Sequence, residues 1–134
     1  MQKFSFYHLE FLVNDEDRLM LTRGFDMPEV DEAAIKTSPI VEVQLAGVNH
    51  GVDGAHRMVG TCEASALRYT GHTINGDTLE ITQKSPRLEV TTVFQAYGDS
   101  NAIRIFSRVK NISDEDQVLT AASAFALRGF GPGG

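Results

Sequence analysis

The sequence predicts an all-β fold, an antiparallel two-sheet β-sandwich, on three observations. Apolar and polar residues alternate with a period of two along most of the chain, which points successive side chains to opposite faces of strands. Clusters of Gly, Asn, Asp and Pro punctuate these runs at roughly 10–15-residue intervals, the spacing of short strands joined by turns. Helical periodicity of the kind a crossover helix needs is almost absent, which argues against a parallel α/β sheet.

The first strand is expected over residues 4–13, with Phe4 and Phe6 on one face and Tyr7, Leu9 and Phe11 on the other. Asn14-Asp15-Glu16-Asp17 is turn chemistry, and residues 18–22 read as the returning strand of a hairpin. Residues 24–38 carry Gly24, Pro28 and four acidic side chains, with Pro39 just beyond, and read as a loop. Residues 40–45 alternate again, with Val41, Val43 and Leu45 facing together. Four glycines then interrupt residues 47–60, the least regular stretch. Asn75-Gly76-Asp77 between the runs 67–74 and 78–83 is a hairpin signal, because the turn residues must tolerate positive φ. Ser85-Pro86 punctuates. Residues 87–97 form a long strand with Leu88, Val90 and Phe94 on one face, and Gly98 to Asn101 turn the chain. In residues 103–112, Ile103, Ile105 and Val109 alternate with Arg104, Arg108 and Lys110. Asp114-Glu115-Asp116 turns the chain into a last strand over 118–130. About eight strands result, in one domain over 1–128, and the Gly/Pro-rich residues 129–134 read as the start of a linker.

A chain of 134 residues buries about two-thirds of its unfolded surface and needs neither metal nor disulfide to fold. Its net charge of -6 is scattered, with no basic stripe for phosphates, so nucleic acid is not an expected partner. No apolar run approaches the ~20 residues of a membrane helix, and the N-terminus lacks a signal peptide's pattern. With one cysteine, Cys62, the composition fits a cytoplasmic protein.

The glycine-rich stretch gathers the candidate contact residues Asn49, His50, Asp53, His56 and Arg57, and Arg68 follows it. Loops on rigid β scaffolds are where recognition groups sit, and glycine lets the backbone approach a ligand or a neighbouring chain. His50, Asp53 and His56 lie three residues apart. Metal-ligand motifs of that kind rest on helical spacing, which this segment lacks, so no metal and no cofactor is expected. The acids cluster in turns. Glu42, Glu80 and Glu89 lie inside strands, where alternation assigns them to a solvated sheet face, and no opposed carboxylate pair for glycoside hydrolysis can be made from them. Cys62, expected in an exposed loop, has no grounds for nucleophilic activation.

From residue 38 onward the chain resembles the N-terminal domain of family 36 glycoside hydrolases, the bacterial-type α-galactosidases. The resemblance rests on ordered segments: Ile40-Val41-Glu42-Val43-Gln44-Leu45-Ala46-Gly47 before Asn49-His50, then Gly60-Thr61, Leu67-Arg68-Tyr69 with His72, and Asn75-Gly76-Asp77-Thr78-Leu79-Glu80-Ile81. Leu88-Glu89-Val90-Thr91, Ile103-Arg104, Val109-Lys110-Asn111-Ile112-Ser113-Asp114 and Ser123-Ala124-Phe125-Ala126-Leu127 complete it. It covers about 90 of the 134 residues.

The resemblance implies a β-sandwich of the supersandwich, galactose-mutarotase-like type, which in that family precedes a (β/α)8 barrel holding the two catalytic aspartates of a retaining enzyme. This chain is then expected to carry no catalytic residue, to lie beside a barrel domain and neighbouring subunits of a homo-oligomer, and to meet an α-galactoside only by lining a neighbour's sugar site. The family's acidic pair in the polar loop is absent: Gly51-Val52 stand there, and Asp53 lies one place later. Two alternatives are an independent carbohydrate-binding module, which needs an aromatic platform that Tyr7, Tyr69 and Tyr97 without any Trp do not suggest, and a mutarotase-like sugar enzyme using His50 or His72 as acid with a Glu base.

Overall fold

A computed structural model describes residues 1–24, 40–47 and 62–126, and these are almost wholly β, paired antiparallel throughout. Strands β1 (Gln2–Phe6), β2 (Leu9–Val13) and β3 (Leu19–Arg23) form one meander in that order. The expected single strand over 4–13 is therefore two. The chain reverses at Tyr7-His8, so that Phe6 pairs with Leu9 and Phe4 with Phe11. Pairing across this turn brings Phe4, Phe6, Leu9 and Phe11 onto one face, not onto two. Neither turn residue is Gly or Asn. Tyr7 takes φ 53°; its ring packs edge-on to Phe6 at 4.9 Å and its hydroxyl bonds the Asp77 carboxylate, two contacts that offset the cost of a left-handed conformation. The next turn follows its sequence chemistry. Asn14 Oδ1 accepts from the amides of Glu16 and Arg18, both at 2.9 Å, and Asp17 sits at φ 58°.

Strands β5 (Arg68–Asn75), β6 (Thr78–Lys84), β7 (Leu88–Ala96) and β8 (Ile103–Asn111) form a four-stranded sheet in sequence order. The β5–β6 hairpin turns one residue later than an Asn-Gly turn would. Asn75 pairs with Thr78, Gly76-Asp77 are the turn, and Gly76 holds the positive φ of 59°. Register assigns Leu79, Ile81, Gln83, Val90, Thr92 and Phe94 to the inner face, where all six are buried. Glu80, Glu89, Arg104, Arg108 and Lys110 take the outer face, as the alternation predicts. There Arg108 donates to Glu80 at 2.6 Å, and Val93, flanked in register by Glu80 and Phe106, is buried beneath them.

The second layer is split. The β1–β3 meander packs Phe6, Leu9, Phe11, Val13, Leu19 and Leu21 on Leu79, Ile81 and Phe94. Beside it, β4 (Val43–Leu45) pairs with β9 (Leu119–Ala122), and Val41, Val43 and Leu45 pack on Leu88 and Val90. Ile40 enters the first cluster and Val41 the second, so residues 40–41 join the two halves of the core. Both small sheets thus cover one face of the large one, giving a β-sandwich. Two expectations are corrected here. The last strand ends at Ala122, and residues 123–126 continue outside any strand; residues 127–130 of the expected strand lie outside the described residues. Glu42 is not on a solvated face: it is 5% exposed, because its amide and carbonyl pair with Ser123 and carry it into the layer.

Candidate functional site

Of the candidate contact residues, Asn49, His50, Asp53, His56 and Arg57 lie outside the described residues, and Arg68 lies within them. What is described is the frame from which their segment departs and to which it returns. It departs after Leu45, where the Ala46 amide donates to the Val118 carbonyl at 2.9 Å and Gly47 takes φ 81°. It returns into α1 (Cys62–Ala66), a short helix that the sequence reading placed in a loop, Cys62 included. Five residues cannot display helical periodicity, which explains the difference.

Two devices fasten α1. Arg68 Nη1 donates to the carbonyls of Ser65 at 2.7 Å and Leu67 at 2.9 Å, satisfying acceptors that a helix end leaves open. Among the described residues no carboxylate pairs with this half-buried guanidinium. Within the described residues its hydrogen bonds serve to cap the helix. The second device was not foreseen. Glu63 is 5% exposed and accepts a 2.5 Å hydrogen bond from the buried Ser85 hydroxyl, with Arg87 Nη1 4.0 Å from its other oxygen. Ser85 Oγ in turn accepts from the Leu88 amide at 3.0 Å. A buried carboxylate with a hydroxyl donor and a nearby cation costs far less than an isolated one, so this trio holds α1 to the β6–β7 turn. The sequence signal was present in Ser85-Pro86, which reads as punctuation alone until its partner is known.

Further along β5, the strand that Arg68 begins, Tyr69 Oη and His72 Nδ1 lie 2.6 Å apart, and the His72 ring stacks on Phe4 at 3.8 Å. Burial pushes the His72 imidazolium below its ordinary pKa of 6.5 and the Tyr69 phenol above its own; Gln2 opposes the latter as a donor. The pair joins β1 to β5. Tyr7 also titrates higher than an ordinary phenol, first because it donates to Asp77 and then by burial and the Asp77 charge. Between the two core clusters runs a polar row: Thr92 Oγ1 meets Ser107 Oγ at 3.3 Å, Ser107 donates to the Ala124 carbonyl at 2.9 Å, and the buried Gln83 Oε1 has no hydrogen-bond partner among the described residues.

Chemically, these groups anchor and orient. His72 faces a phenol, with no carboxylate shown bonded to it, and no group of three metal-ligating side chains forms among the described residues. Among them, too, no helix is long and apolar enough to cross a membrane. No protein-family model, curated protein or solved structure matches the chain.

Proposed function

We propose that this chain is the non-catalytic N-terminal sandwich domain of a retaining α-galactosidase of the family 36 type, contributing subunit contacts and the rim of a neighbouring sugar site. One observation carries the reading. The segments that resemble that family fall in order on β4, β5–β6, β7 and β8 of one sandwich, and the polar segment 48–61 is bracketed by β4 and the fastened helix α1. A contact loop needs such a frame, because recognition groups are useful only when a rigid scaffold holds them. Arg68 and the Glu63–Ser85 bond supply it at the returning end.

The runner-up, a free-standing carbohydrate-binding module, is supported less. Tyr69 turns inward against Phe4 and His72, which leaves Tyr7 and Tyr97 as the exposed tyrosines, short of an aromatic platform. Sequencing the coding region downstream of Gly134 tests the proposal. A reading frame that continues into alternating strand and helix patterns of a (β/α)8 barrel, with acids at strand ends, supports it. A stop codon directly after Gly134 would overturn it.

A further inference from the structure

We propose that the outer edge of β8 receives an extended strand from a partner polypeptide whose residues alternate apolar and acidic. β8 is nine residues long and ends the order β5-β6-β7-β8; among the described residues no strand pairs with its far side. Such an edge presents a row of backbone donors and acceptors, the template used in strand addition.

The side chains show the same opening. Phe94 and Val90 on β7 are 0% exposed, yet their register partners Ile105 and Val109 on β8 are only half-buried, as is Ile103 beside Ala96. The covering layer stops at the same place. β4 lies over β7 through Val43, Leu45, Leu88 and Val90, while the chain after β9 reaches β8 through the Ser107–Ala124 bond. Of its neighbours, Leu119 and Val118 stay exposed. Both layers therefore end on one side with apolar groups incompletely covered.

Charge selects the occupant. The outward positions of β8 are Arg104, Phe106, Arg108 and Lys110. A second copy pairing antiparallel about Phe106, Ser107 or Arg108 would set Arg104 against Arg108, Arg104 against Lys110, or Arg108 against itself. Like charges directly opposite destabilise a ladder. These cations guard the edge against self-pairing and favour a strand with acids at the facing positions. On this same face Arg108 reaches across β7 to pair with Glu80 of β6, so a carboxylate is the partner that one of these cations already takes.

The test uses the full chain and two fluorescein-labelled nine-residue peptides, one alternating Val and Glu, the other Val and Lys, read by fluorescence anisotropy. The Glu peptide should bind saturably and roughly tenfold more tightly than the Lys peptide, from three facing charge pairs. The triple variant Arg104→Glu, Arg108→Glu, Lys110→Glu should reverse the preference. If that variant does not fold, Arg104→Glu alone, exposed and resting on the Phe106 ring, should narrow the preference roughly threefold. Absence of binding by both peptides, equal binding, or an unchanged preference in the folded variant would overturn the proposal. So would a dimer in sedimentation velocity that the substitution dissociates, because the edge would then belong to a second copy.

Discussion

Replacing Phe94 by Ala tests the packing on which the sandwich depends. Phe94 is 0% exposed on β7 and meets Phe11 of β2 edge-on at 5.5 Å and Phe125 at 5.8 Å, so one ring joins the large sheet to both parts of the covering layer. Truncation of a buried Phe costs about 3–5 kcal/mol, and two edge-to-face pairs of about 0.5–1.5 kcal/mol each place this site at the upper end. A domain of this size holds roughly 7–20 kcal/mol in all, so the variant should fold with a much reduced margin. In urea, with a slope of about 2 kcal/mol per molar, the midpoint should fall by about 2 M at unchanged slope. Equilibrium unfolding followed by circular dichroism reads this directly. A loss below about 1.5 kcal/mol would refute the assignment of Phe94 as the link between layers.

Three further outcomes follow from the same contacts. Ser85→Ala leaves the buried Glu63 without its hydroxyl donor and should cost about 1–3 kcal/mol, with faster amide exchange in α1; unchanged exchange there would separate the helix from this anchor. His72 is held below its unfolded pKa of 6.5 by burial, so the folded state binds fewer protons: its stability contribution is complete above that pH and is lost as pH falls from there toward the lowered folded value. His72→Phe, which keeps the ring stack on Phe4, should flatten the stability profile over that window, and an unaltered profile would exclude His72 as its source. Gly76→Ala should cost about 1 kcal/mol from its φ of 59°, since no atom lies near the added Cβ, whereas Gly71→Ala, with open space and no positive φ, should cost less.

Most of the fold was legible because alternation survives wherever one strand face is buried. β6, β7 and β8 follow their patterns within a residue or two, and the inner set Leu88, Val90 and Phe94 was read correctly. Three features were not legible. The Tyr7-His8 reversal lacks turn chemistry and is supported by the distant Asp77, so a local reading joins β1 to β2. Glu42 alternates like a surface residue but is drawn inside by main-chain pairing with Ser123, a long-range fact. Glu63 and Ser85 form a bond across 22 positions that no local pattern announces. Arg68 was singled out from its motif as a contact residue, whereas its bonds to two carbonyls became visible only with α1 in place.

We propose above that this sandwich serves an α-galactosidase without performing the chemistry. Hydrolysis of p-nitrophenyl α-galactoside measures it, run on the natural gene product and on the 134-residue chain side by side. The account predicts release of nitrophenol by the gene product and none above background by the chain alone. Turnover by the isolated chain, or an inert gene product, would contradict it.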